Sequence, residues 1–154
     1  MAKTKESSIK SKLKELSEYQ EQVLIFEWAE RMSNKYPELK LLNASLNGVR
    51  LNIGQAVKCK KSGMKKGYPD IFLPIRTVKM IPSIFNVNDT EVKLYSGLFI
   101  ELKKTNGKNS DVKADQKIWN NLLREQGFQS LVCFGHKEVI QEICSYLGVK
   151  NEIR

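Results

Sequence analysis

Charge sits where a chain ordinarily keeps apolar side chains: Asp70 heads the run Ile71-Phe72-Leu73-Pro74, and Glu101-Leu102-Lys103 closes the run Leu98-Phe99-Ile100. Both runs read as strands. A strand alternates its side chains between faces, so Glu101 and Lys103 project together while Leu102 points into a core. Asp70, on a neighbouring strand, brings a second carboxylate beside Glu101. Two hard oxygen ligands with open positions suit Mg²⁺ or Mn²⁺, and such an ion can bind a phosphate oxygen and acidify a water.

Taken singly, each stretch is an ordinary solvated strand end. The combination argues otherwise. Gly67-Tyr68-Pro69 constrains the approach to the first strand, Lys65 and Lys66 precede it, and Lys104 and Lys108 follow the second. The carboxylates are therefore embedded in positive charge, with Lys60 and Lys61 nearby in sequence as further candidates for phosphate contacts. Lys104 is expected on the strand face opposite Lys103. The whole chain shares this bias: 26 Lys and Arg against 17 Asp and Glu give a net charge of +9 and a pI near 9.5, which points to a polyanionic partner, nucleic acid before membrane.

The 154 residues fit one domain with a sizeable core, expected over 17–154 behind a basic flexible arm over 1–16. No apolar run approaches the roughly 20 residues that span a bilayer, and the N-terminus carries no apolar leader. The expectation is no membrane and a cytoplasmic location. Cys59, Cys133 and Cys144 are odd in number and widely spaced, as for reduced packing residues. His136 has no partner at zinc spacing and reads as the start of a helix.

Ser17-Glu18-Tyr19-Gln20 is a capping box opening a helix with Val23, Leu24, Ile25, Phe26, Trp28, Ala29 and Met32 on a broad face, ended by Pro37. A strand over 41–46, the Asn47-Gly48 turn and a short helix over 52–62 stopped by Gly63 follow. After the strand over 70–74, residues 75–96 read as an irregular connector, either a hairpin insertion or a substrate-contacting loop, with the variable connector preferred. The strand over 97–103 leads to a helix over 111–126 capped by Ser110 and stopped by Gly127. A buried strand over 129–134 and a helix over 136–147 ended by Gly148 complete the chain.

In series, Ser17 to Gln22, Asn47-Gly48-Val49-Arg50, Gly63 to Pro74, Gly97 to Lys103, and Ser110 with Gln116 and Trp119 resemble the virus-type replication-repair nuclease (VRR-NUC) family of the PD-(D/E)xK superfamily, in its standalone phage-type form. The resemblance spans residues 17–147. It implies an α/β fold with a restriction-endonuclease-like core, a central mixed sheet flanked by helices, and Mg²⁺- or Mn²⁺-dependent hydrolysis of DNA phosphodiesters. By resemblance, Asp70, Glu101 and Glu18 hold the metal with the Leu102 carbonyl as a further ligand, Lys103 aligns the attacking water, and Gln116 orients the lysine or a phosphate. Glu18 and Gln22 match the family's Glu-and-Gln pair, with Glu21 the reserve for the helix carboxylate. Lys65, Lys66, Lys104, Lys108, Arg50 and Asn47 are the expected nucleic-acid contacts. Similar small nucleases act as homodimers on branched DNA such as four-way junctions, in the host cytoplasm when phage-encoded.

Two other classes compete. A noncatalytic DNA- or junction-binding module could keep the fold, but the intact Asp70, Glu101 and Lys103 argue against it. A small RNA-binding domain would expose stacking aromatics on its strands, whereas Phe72 and Phe99 fall within apolar runs.

Overall fold

The run that ends in Glu101 becomes an interior strand, β5 (Leu98–Lys103), buried at all six positions. In the computed structural model, which describes residues 15–46, 49, 51–85 and 89–151, β5 lies in a four-stranded mixed sheet. The strand order is β1 (Asn43–Ala44), β2 (Ile71–Leu73), β5, β6 (Gln129–Phe134). The β1/β2 and β2/β5 pairs are antiparallel and β5/β6 is parallel. The Asn47-Gly48 turn, Arg50 and residues 1–14 of the expected basic arm lie outside the described residues.

Alternation divides the sheet into two faces. Ile71, Leu73, Leu98, Ile100, Leu102 and Cys133 form one side and pack with Ile25, Trp28 and Ala29 of α1 (Glu18–Met32) and Val139, Ile140 and Ile143 of α4 (His136–Leu147). The other side presents Phe72, Phe99, Glu101 and Lys103 towards α3 (Ala114–Glu125). There the buried Asn120 takes the Ser130 hydroxyl on its Oδ1 and donates to the Gln116 carbonyl at 3.0 Å. Burial on both faces is why β5 reads as a continuous apolar run up to its charged end.

The capping box expected at Ser17 is present, with the Gln20 N–H donating to Ser17 Oγ and the Ser17 N–H to Gln20 Oε1. α1 stops at Met32, before Pro37, which instead opens a 3₁₀ turn, Pro37–Leu41, that buries Leu39. That turn consumes the first part of the strand expected over 41–46 and leaves only two paired residues. α2 (Ile53–Lys61) fills the helix expected over 52–62, with Asn52 as its N-cap.

Two expectations are corrected. Of the readings left open for residues 75–96 the hairpin insertion is observed and the preferred irregular connector is not: β3 (Thr77–Pro82) and β4 (Thr90–Tyr95) pair antiparallel over six residues each, and Pro82 is tolerated because it closes a strand of a two-stranded ribbon. The alternation in Thr77-Val78-Lys79-Met80 and Thr90-Glu91-Val92-Lys93-Leu94 carried the signal. The helix expected over 111–126 begins instead at Ala114. Asp111 Oδ2 accepts the Lys108 N–H at 2.7 Å, closing a 3₁₀ turn, and the extended Val112 is buried before the helix starts.

Because Ile100 is fully buried at the middle of β5, Ile100→Ala should lower unfolding free energy by about 2–5 kcal/mol through lost transfer energy and a residual cavity. Urea denaturation of the variant against the parent measures this; a loss below about 1 kcal/mol would contradict the central placement of β5.

Candidate active site

Asp70 stands one residue before β2 and across from Glu101, because Ile71 pairs with Ile100 in the antiparallel register. Its Oδ2 accepts the Leu102 N–H at 2.8 Å, which stitches the two strands at their charged ends. Glu101 is 1% exposed. Its Oε1 accepts Lys103 Nζ at 2.7 Å and the Gln116 side-chain amide, while its Oε2 is buried without a hydrogen-bonding partner.

Gln116 is held at both ends. Its Oε1 accepts the Lys113 N–H at 2.8 Å at the start of α3, and its Nε2 donates to Glu101. The residue expected to orient the lysine or a phosphate thus orients the carboxylate. The start of α3 is in turn seated by Gly67, whose φ is +78° and where a Cβ would come within 2.7 Å of the Asp115 Cβ. Only glycine combines that backbone angle with that approach.

Burial governs the ionisation of the pair. It raises Asp70 above the usual carboxylate range against the pull of the Leu102 N–H. Burial, then the neighbouring charge of Asp70, push Glu101 up to about 7 against the Lys103 ammonium. Glu18 adds negative charge to both. It lines a cavity of about 260 Å³ at the end of β5, together with Glu15, Lys103, Lys104 and Asp111.

Glu21, the reserve for the helix carboxylate, is committed elsewhere. It is 1% exposed and accepts the Thr105 hydroxyl at 2.5 Å, the His136 N–H at 2.8 Å and the His136 ring at Nδ1. Burial pulls its pKa up, but these hydrogen bonds and the imidazole outweigh it and leave the carboxyl below its ordinary value. The sequence carried this distinction, since Glu21, Ile25 and Trp28 recur at helical spacing on the buried stripe of α1.

Among the described residues no three His, Cys, Asp or Glu side chains converge as a ready-made metal cage. The donor set is the Asp70–Glu101 pair with Glu18 at the rim. An oxygen-only set with one buried, unpartnered carboxylate oxygen fits a hard divalent cation.

Of the expected nucleic-acid contacts, Lys65 and Lys108 are exposed, and Lys66 pairs with Asp115 at 2.7 Å. Lys104 follows the end of β5, where strand alternation no longer applies. It therefore lines the same cavity as Lys103 rather than the opposite face. Asn47 and Arg50 lie outside the described residues.

The model of the VRR-NUC domain family matches residues 4–137, a span that takes in the sheet, the paired carboxylates and Lys103. The chain belongs to the VRR-NUC family. A solved structure described as a VRR_NUC domain protein is 28% identical, covers 90% of this chain and 94% of its own, and superposes with a TM-score of 0.65. A comparison with curated proteins finds no match. Family membership supports a nuclease-type fold and a DNA-binding role for this VRR-NUC chain, and no helix among its described residues is long and apolar enough to cross a membrane.

A carboxyl whose folded pKa is raised holds a proton that the unfolded chain releases. The stability it contributes is therefore present at low pH and lost as pH rises from the ordinary carboxylate value through about 7. In EDTA the melting temperature should fall between about pH 5 and about pH 8, and Glu101→Gln should flatten that slope. Glu21, lowered, acts in the opposite sense and only in more acidic solution. A pH-independent melt of the parent would contradict the burial of Glu101.

Proposed function

We infer that this VRR-NUC protein is a metal-dependent endonuclease that hydrolyses DNA phosphodiesters, selective for branched DNA such as four-way junctions. The observation that carries this reading is Glu101: a buried carboxylate with one oxygen held by Lys103 and Gln116 and the other without a partner, beside the half-buried carboxylate of Asp70. A fold whose only need was stability would gain by replacing such a cluster with apolar side chains. Branched substrates and a homodimer are implied by the family, and the exposed apolar face of the β3–β4 hairpin (Val78, Met80, Val92 and Leu94) is a surface that a second copy would cover.

Asp70 and Glu101, with Glu18 at the rim and the Leu102 carbonyl as a further donor, would hold Mg²⁺ or Mn²⁺. When bound, the ion supplies charge neutralisation at the phosphate and a more acidic water. The chain's own groups do the rest. Gln116 fixes the Glu101 rotamer, so that Oε2 stays turned away from the protein's donors. Lys103, 8% exposed on its side chain and 2.7 Å from Glu101, lines the cavity, where it can align water and stabilise charge that develops on the phosphate. Lys104 in the cavity wall and the exposed Lys65 and Lys108 add positive charge for the flanking phosphates.

Asp70→Ala and Glu101→Ala should each abolish Mg²⁺- or Mn²⁺-dependent cleavage of plasmid and four-way-junction DNA while leaving DNA binding largely intact. Lys103→Met should cut the single-turnover rate roughly a hundredfold or more, with binding little changed. Lys61→Met on α2 is the control, expected to weaken binding slightly and only at low salt. Near-parental rates in the carboxylate variants would sink the assignment, and cleavage unaffected by EDTA would exclude the metal.

The homodimer is tested by sedimentation: Met80→Glu should shift the parent dimer to monomer. A parent that sediments as a monomer at micromolar concentration refutes it.

A further inference from the structure

A second cavity, of about 350 Å³, is lined by neither carboxylate. Its walls include Leu46, Met64, Lys65, Tyr68 and Trp119, a largely apolar and aromatic lining that includes one lysine. Three links tie it to the catalytic end of the sheet. Ser45, also in its wall, donates its N–H to the Asp70 carbonyl at 2.7 Å. Tyr68 packs edge-on to Phe99 at 5.6 Å, and Phe99 lies two residues before Glu101 on the same strand face, about 7 Å along the strand. Trp119 lies three residues after Gln116 on α3, hence on the same side of that helix.

The aromatic walls are held in place rather than packed away. The Trp119 indole N–H donates to the Lys66 carbonyl at 3.0 Å, and the Tyr68 and Trp119 rings meet at 5.1 Å and 78°. Both residues are only half-buried.

We propose that this cavity is a subsite for one unpaired nucleobase of the DNA strand, next to the phosphate held at Asp70 and Glu101. A nucleobase has an apolar, polarisable face that stacks on Trp or Tyr and a polar edge that can face the cavity mouth. The phosphate attached to it would then face Lys65. A base inside an intact duplex has both faces covered by its neighbours, so the subsite selects strands that are single, frayed or branched. The proposal rests on the nuclease reading above and adds to it how the substrate's structure would be sensed.

The test measures binding of the full chain in EDTA, by fluorescence anisotropy, to two labelled oligomers of equal length and phosphate count: oligothymidine and its abasic counterpart. The counterion contribution is the same for both. The parent should prefer oligothymidine on the order of tenfold. Trp119→Leu should erase the preference and Trp119→Phe should keep most of it; both lose the indole bond to Lys66, so the difference between them reads stacking alone. Quenching of Trp119 emission by oligothymidine and not by the abasic strand, read against Trp119→Phe, which retains only Trp28, supports the subsite even if Trp119→Leu fails to fold.

Equal affinity of the parent for both strands overturns the proposal, as expected if the cavity takes an apolar protein side chain instead. A preference that survives intact in a folded Trp119→Leu overturns it as well. Metal-dependent cleavage of plasmid and four-way-junction DNA by the parent separates the two readings. Cleavage without base preference defeats the subsite alone, and base preference without cleavage under Mg²⁺ or Mn²⁺ supports the subsite while defeating the nuclease.

Discussion

Burying Glu101 in a strand covered on both faces is the constraint around which the rest of the site is arranged. Removing a carboxylate from water costs several kcal/mol unless hydrogen bonds and opposite charge offset it. Lys103 and Gln116 satisfy one oxygen and leave the other without a donor. The cluster is only half-compensated by protein groups, and its raised pKa is the direct consequence. A cation brought by substrate or solvent would complete it.

Compensation of this kind works only if the partners cannot move away, and several contacts prevent that. Asp70 is tied to the backbone of β5 through Leu102. Gln116 is tied to its own helix start, which rests against Gly67, and Trp119 binds the Lys66 carbonyl. The approach to β2, the end of β5 and the first turns of α3 therefore behave as one unit. Phosphate chemistry and any recognition of the neighbouring base would share the same rigid elements.

A second lock closes the opposite side of the sheet. Glu21 gathers Thr105 from the loop after β5 and His136 from the start of α4, and Gly135, with φ +82°, leaves room for Thr105 where a side chain would collide with it. The buried carboxylates on the two sides of β5 show how environment sets role. Glu21 is fully hydrogen-bonded and held ionised, which suits structure. Glu101 has one oxygen without a donor and a pKa raised by burial, and a cation beside it would favour its ionised form.

The local pattern of residues determined the strands that carry Asp70 and Glu101, the common face of Glu101 and Lys103, the capped helix at Ser17 and the final helix from His136, because alternation, capping and glycine stops act over a few residues. It also contained the β3–β4 alternation and the burial of Glu21, signals present at the correct spacing but overshadowed by Pro82 and by the residue's charge. Tertiary structure alone decided the rest. That Gln116 grips Glu101 rather than Lys103, that Glu21 serves Thr105 and His136, and that Tyr68 and Trp119 wall one cavity all depend on contacts between residues 15 to 115 positions apart. No periodicity encodes such contacts; they exist only once the two faces of the sheet are packed.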